Sequence, residues 1–199
     1  MASTIIQVNS GSGPKIAGDD YTDGTNTVID QRVTPGEYKR ASYSASATAL
    51  LTTTANDHLM QLMAGSSLPV RVRRVTITQR TNAGALSVGE FALYRLTTAG
   101  TGGTAVTPSK YDNGDAASGA TAQTLPSSKG TEGVLLFAAT KILRAAADPG
   151  ETPWVWEQHP STKPIIIPAG TSNGIAVKSI LGVATSTVDV VIEFVETPY

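Results

Sequence analysis

The sequence predicts an all-β fold, an antiparallel sandwich or barrel preceded by an extended N-terminal arm. Three observations carry this. Threonine occurs 27 times among 199 residues, against seven glutamates and 13 leucines. β-Branched side chains suit a pleated surface, whereas long unbranched ones suit helices. Nineteen glycines and 11 prolines punctuate the chain at short intervals, which supplies many turns. Short apolar runs follow one another without the strand–helix alternation that a parallel sheet requires.

Residues 1–40 are polar and broken, with apolar islands at Ile5, Ile6, Ile16, Val28 and Ile29. Ordering a residue costs about 1–2 kcal/mol of backbone entropy. Burying each of those five side chains returns about 1.5–3 kcal/mol, which falls short of ordering 40 residues. The segment therefore reads as an arm that runs along a neighbouring surface and adds a strand where an edge is free.

The sandwich is expected over residues 41–199. ASYSASATALLTTT and HLMQLMAG lead into a loop at 65–69, then VRVRRVTITQR. Val70 and Val72 alternate with Arg71 and Arg73, and Val75 and Ile77 resume the alternation one residue late. An extra residue that resets the inward face is a β-bulge, so the Arg73–Arg74 pair reads as a bulge before it reads as an anion site. SVGEFALYRLTTAG, residues 87–100, reads as a strand with Ala92, Tyr94 and Leu96 on one face. Residues 108–133 hold almost no large apolar side chain and read as a long surface loop, serving a function or held by a partner. GVLLFAATKILRAAADPG, residues 133–150, fits a helix face through Leu135, Ala139, Ile142, Leu143 and Ala146. It also fits two strands, VLLF and KILR, with a turn between them, which the all-β context favours. Trp154 and Trp156 alternate, so on a strand they share a face, packed on a neighbouring subunit, on the core or on a sugar. IIIP, GIAVKSI and VDVVIEFVE are the last strands, with Val188, Val190, Ile192 and Phe194 on one face.

Charge excludes several functions. Charged residues make up 16% of the chain and the formal net charge is −1. The densest basic spot is Arg71, Arg73 and Arg74 with Arg80 nearby, too little to neutralise a nucleic-acid backbone. There is no cysteine, hence no disulfide or thiolate metal site. No apolar run approaches the roughly 18 residues of a membrane span. MASTIIQVNSGSG lacks the basic and apolar regions of a secretory leader. No cofactor is expected.

Four motifs invite chemistry. Gly170-Thr171-Ser172-Asn173-Gly174 spells the G-x-S-x-G of a serine nucleophile elbow. An elbow needs a strand, a sharp turn and then a helix, with a histidine later in the chain. Here a second strand follows, and the only histidines, His58 and His159, both come earlier. A strand–turn–strand is expected instead. In DDYTDGTNTVID, Asp19, Asp23, Gly24 and Asp30 fall at positions one, five, six and twelve of a calcium loop. Tyr21 occupies position three and no helix flanks it, so a turn-rich arm is expected and no metal. Gly100-Thr101-Gly102-Gly103 lacks the following Gly-Lys-Thr/Ser of a phosphate loop. Two isolated histidines do not make the His/Glu cluster of a cupin-like metalloenzyme.

Three segments together resemble the jelly-roll proteins of tailed-phage virions, especially the auxiliary capsid proteins that decorate or cement the head. KPIIIPAGTSNGIAV followed by VDVVIEFVE is similar to the closing strands of such sandwiches. TAVTPSKYDNGDAASGATA resembles the loop after their central strand, and LPVRVRRVTIT the strand after a short loop. The resemblance spans roughly residues 41–199 and brings no catalytic residues. It implies an antiparallel jelly-roll sandwich that forms symmetric homo-oligomers, often trimers, bound to the major capsid protein on the outer surface of the capsid. Ile5, Ile6, Ile16, Val28, Ile29, Trp154 and Trp156 would then be interface candidates. The rival is a receptor- or carbohydrate-binding module of a head or tail fibre, which would leave the tryptophan faces exposed.

Overall fold

The computed structural model describes residues 18–23, 26–31, 40–81, 83–145 and 153–197. The chain divides between Lys39 and Arg40 into two units. In the first, β1 (Gly18–Asp23) and β2 (Asn26–Gln31) pair antiparallel, with Gly18 opposite Gln31 and Asp23 opposite Asn26. Over these residues each strand supplies the other's missing backbone partners. Val28 and Ile29 lie on β2, opposite Tyr21 and Asp20. Ile5, Ile6 and Ile16 lie outside the described residues.

The described residues of the second unit form two antiparallel sheets and no helix. In chain order the strands are β3 (Ser42–Leu51), β4 (Asp57–Met63), β5 (Val70–Thr81), β6 (Ser87–Leu96), β7 (Thr104–Val106) and β8 (Ser109–Lys110). They continue with β9 (Thr121–Thr124), β10 (Glu132–Leu143), β11 (Trp154–Glu157), β12 (Ile165–Ile167), β13 (Gly174–Ser179) and β14 (Thr187–Glu196). The first sheet runs β10-β6-β13-β4-β9-β7. The second runs β11-β5-β14-β3-β8, with β12 also on β5. The long-range pairs are nested: β3 with β14, β4 with β13, β5 with β11 and β12, β6 with β10.

One apolar core fills the space between the sheets. From β14 it takes Val188, Val190, Ile192 and Phe194, the face that alternation predicts. β5 adds Val72, Val75 and Ile77 across its bulge. There Glu193 stands opposite Arg74 and Phe194 opposite Val72, so Arg73 is the extra residue. The bulge expected from the arginine pair is present, and its side chains bond locally, Arg73 Nη1 to Gln158 Oε1 at 2.8 Å and Arg74 Nε to Glu193 at 2.9 Å.

One expectation is completed and two are corrected. On β6 the core residues are Phe91 and Leu93. Ala92, Tyr94 and Leu96 face the opposite side, where Leu96 packs with Met63 and Ala176. Alternation shows that two faces exist, and cannot say which is inward when both are apolar. Residues 132–143 are one strand, not two. Ala138, Ala139 and Thr140 continue the register opposite Ala92, Phe91 and Glu90, because none of them is a turn former. Residues 108–133 are not a structureless loop, since β8 and β9 lie within it. Glu196, at the end of β14, gathers part of that segment. Its Oε1 accepts from Ala120 N at 2.7 Å and Ser118 Oγ at 2.9 Å, and its Oε2 from Gly119 N at 3.0 Å. The partner that holds the segment is the chain's own last strand.

Phe194 stacks on Tyr43 with ring centroids 5.5 Å apart. Phe194→Ala is expected to cost about 3–5 kcal/mol in equilibrium urea unfolding. A loss under about 1 kcal/mol would place β14 outside the core.

Candidate functional site

The first sheet has a second face, directed away from the core, and a polar cluster is buried on it. β4 supplies two of its members. Val177 stands opposite Met60 and Lys178 opposite His58, which leaves Leu59 as an extra residue. The irregularity allows Leu59 and Met60 both to reach the core while His58 and Gln61 share the other face. Lys178 and Tyr94 join them there from β13 and β6, and Glu132 from the start of β10.

The two limbs of the connection between β6 and β10, residues 97–103 and 125–131, cross this face. The connection leaves after Leu96 and returns at Glu132, its limbs tied by Thr97 N to Thr131 O at 3.0 Å and by paired bonds between Thr101 and Ser128 at 2.8 and 3.1 Å. Gly100 lies flat on Gln61. A Cβ at Gly100 would sit 2.7 Å from Ser128 O and 2.9 Å from Gln61 Nε2, so only glycine permits the approach. The glycine-rich turn thus serves close packing.

The hydrogen bonds fix every orientation in the cluster. Gln61 Oε1 accepts from Gly100 N at 2.8 Å and from Gln123 Nε2 at 3.1 Å. Gly100 N can only donate, so the Gln61 amide cannot be reversed. Its Nε2 therefore donates to His58 Nδ1, 2.6 Å away. His58 Nδ1 then carries a lone pair, the proton sits on Nε2, and Nε2 donates to Glu132 Oε1 at 2.7 Å. Lys178 Nζ donates to Glu132 Oε2 at 3.0 Å and stands 4.9 Å from the centroid of the Tyr94 ring. At the rim, Lys129 Nζ bonds Asn56 O at 2.7 Å and pairs with Asp57 at 3.3 Å.

The electrostatics agree with this assignment. Burial pushes the His58 imidazole below its ordinary value; the hydrogen bond and charge of Glu132 oppose that, while Lys178 and Lys129 add to it. Burial alone would raise the Glu132 carboxyl, but the hydrogen bonds from Lys178 and His58 outweigh it and hold the carboxyl below its usual range. Both imidazole nitrogens are taken up, one by Gln61 and one by Glu132, and the side chain is fully buried. The arrangement pins a crossing segment to a sheet. Of these four only His58 was considered in sequence, as one of two histidines, and the cluster did not stand out because 58 and 61 are far along the chain from 132 and 178. The available signal was Gln61, a polar side chain inside the apolar run LMQLMA.

The motifs resolve as follows. Ser172 is exposed in a turn closed by Asn173 N to Gly170 O at 2.9 Å, and strand β13 follows directly. Gly170 takes φ 124°, a backbone that favours glycine. His159 is exposed in the loop after β11, where its Nδ1 accepts from Ser161 N at 3.2 Å. His58 is committed to the buried cluster, so the histidines and Ser172 are not brought together. Asp19 and Asp30 are cross-strand neighbours in the β1–β2 ladder. A backbone paired residue by residue is not a loop wrapped around an ion.

The tryptophans do share a face, and it is the core face. Trp154 is 4% exposed, donates from Nε1 to Ala139 O at 3.2 Å, and has its ring 5.3 Å from Phe137 and 6.4 Å from Phe91. Trp156 is half-buried against the same core. Trp154 thus offers no face to a partner, and its place as an interface candidate gives way to a core role.

Gln61→Leu removes the partners of Gly100 N and His58 Nδ1 at once, while Gln123 Nε2 keeps its bond to Gly100 O. Leaving buried polar groups unsatisfied costs about 1–3 kcal/mol each, so a loss of about 3 kcal/mol in urea unfolding is expected. Ser172→Ala, at an exposed turn, should stay within about 0.5 kcal/mol of the parent.

No protein-family model, no curated protein and no solved structure matches the chain.

Proposed function

We propose that the chain is a structural virion protein that decorates or cements the outer surface of a phage capsid as a symmetric homo-oligomer, with a trimer as the expected state. The observation that carries this reading is the open edge of the first sheet. β10 is 12 residues long and, among the described residues, has a neighbour on one side only. Its large exposed side chains are apolar, Val134 (70%), Ile142 (59%) and Leu135 (47%), with Thr140 the one exposed polar side chain on the strand. Val88, opposite Ile142, and the nearby Leu86 are also exposed. From Gly133 to Thr140 the strand carries no charge. The opposite ends of the sheets are short, three residues in β7 and two in β8. A long uncharged apolar edge is a liability in a lone soluble protein and a joining surface in a closed assembly.

The nested pairing supports the jelly-roll part of the reading. Taking β3, β4, β5, β6, β10, β11 with β12, β13 and β14 as eight strands, first pairs with eighth, second with seventh, third with sixth and fourth with fifth. Two Greek keys rolled into a double sheet have this order. The fibre-module reading would draw on the tryptophan pair as a sugar platform, and Trp154 faces inward. Catalysis forms no part of the proposal: the G-x-S-x-G serine lies in a strand–turn–strand, and His58 has no nitrogen to spare.

Analytical ultracentrifugation and co-sedimentation with capsids test the proposal. The full chain should sediment as a closed oligomer and bind capsids. The Val134→Lys/Ile142→Lys double variant should keep its far-UV circular dichroism and lose self-association. A full chain that stays monomeric at high concentration and ignores capsids would overturn the reading. Removing residues 1–30 should leave the sandwich's melting temperature nearly unchanged and weaken capsid binding; unaltered binding would deny those residues an anchoring role.

A further inference from the structure

We infer that His58 is a proton-operated latch: its neutral form holds the limb at residues 97–103, with Gly100 at its centre, against the outer face of the first sheet, and its protonation releases that limb. The inference is independent of any role on a capsid.

The argument is one of donors and acceptors. With His58 neutral, every buried group has a partner of the right kind. Gly100 N and Gln123 Nε2 donate to Gln61 Oε1, Gln61 Nε2 donates to His58 Nδ1, and His58 Nε2 donates to Glu132. A second proton, on Nδ1, sets two donors against each other across 2.6 Å. Reversing the Gln61 amide would satisfy Nδ1, but would then turn its NH₂ toward Gly100 N and Gln123 Nε2, which are also donors. His58 is 1% exposed and Gln61 is fully buried, so water cannot intervene while the chain is closed. The charged imidazole fits only if Gly100 moves away and lets solvent in. Gly100 is held to the sheet by two bonds, its N donating to Gln61 Oε1 at 2.8 Å and its O accepting from Gln123 Nε2 at 2.6 Å, and has no side chain to pack.

The charges around the ring set the direction. Glu132 from β10 faces Nε2, Lys178 from β13 faces Glu132, and Tyr94 from β6 lies under Lys178. Asp57 on the same strand is paired with Lys129 of the returning limb. Glu132 favours the imidazolium, but Lys178 shares that carboxylate and partly spends its charge. Burial is the largest influence and keeps the folded imidazole below the ordinary 6.5. A group depressed in the folded state contributes stability that is complete above 6.5 and is lost as pH falls below it. Glu132 is also depressed, and its own contribution fades only as pH falls below 4.5. Between pH 7.5 and 5.5 the response therefore belongs to the imidazole.

The test uses the full chain and two nuclear magnetic resonance measurements between pH 7.5 and 5.5. Imidazole ¹⁵N shifts should report the Nε2–H tautomer of His58 at pH 7.5. Amide exchange, corrected for the intrinsic rate, should show the protection of Gly100 falling up to about tenfold per pH unit below about 6.5, the slope of one linked proton. Val190 in the core strand β14 should keep its protection. His58→Gln should remove the pH dependence at Gly100, whereas His159→Gln, at the exposed histidine, should retain it. Constant protection of Gly100 over this range in the parent protein would overturn the latch. So would an Nδ1–H tautomer or a cationic His58 at pH 7.5, or an undiminished acid response in a folded His58→Gln variant. Should that variant fail to fold, the two measurements on the parent chain decide.

Discussion

The structure rests on the placement of β14 between β3 and β5. Thr187–Glu196 is the last strand, yet it is the middle of the second sheet and bonds on both sides. Its inward residues Val188, Val190, Ile192 and Phe194 face the first sheet across the core, and its Glu196 collects the Ser118 hydroxyl and the backbone amides of Gly119 and Ala120. Without this strand the β5 and β3 halves of the second sheet do not join. The same holds, less severely, for β13, which sits between β4 and β6. Both central strands come late in the chain, so their pairing is non-local, and folds dominated by such pairs close slowly because loop entropy is lost before contacts compensate.

The two faces of the first sheet show different physics. The inner face is apolar and needs only shape and alternation. The outer face buries a histidine, a glutamine and most of a lysine beneath a crossing chain, and a buried polar group is tolerated only when each donor finds an acceptor. Gln61 meets that condition for three neighbours at once. Such a network adds little net stability over an apolar equivalent. What it adds is register: Gly100, Ser128 and Glu132 can sit in only one place.

β10 links the two proposals made for this protein. Its first residue, Glu132, is the acceptor at the end of the buried network, and Val134 and Leu135 begin the exposed apolar edge two residues later. Val134 and Leu135 lie within the irregular pairing that runs from Glu132 to Phe137, and a bulged stretch bends and twists more than a regular one.

Much of this was legible in residues close together in the chain. The β-branched composition and the turn residues gave an all-β fold. Val70, Val72, Val75 and Ile77 gave the bulge at Arg73, and the alternation from Val188 to Phe194 gave the inward face of β14. Gly170-Thr171-Ser172-Asn173-Gly174, lying between two strand-like runs, was already a turn. These features are set by neighbours within a few residues, where side-chain period and turn chemistry act directly. Tertiary structure decided the rest. Ala92, Tyr94 and Leu96 alternate as a core face would, but the chain covers both faces of that sheet, and only the partners Met63 and Ala176 show which face they line. VLLF and KILR joined into one strand because β6 offered a continuous edge. Trp154 turned inward because Phe91 and Phe137 converge on it from β6 and β10. His58, Gln61, Glu132 and Lys178 became a site only when the sheet brought four distant positions to one face. A period along the chain specifies which residues share a side, whereas burial depends on what the remainder of the chain lays over that side.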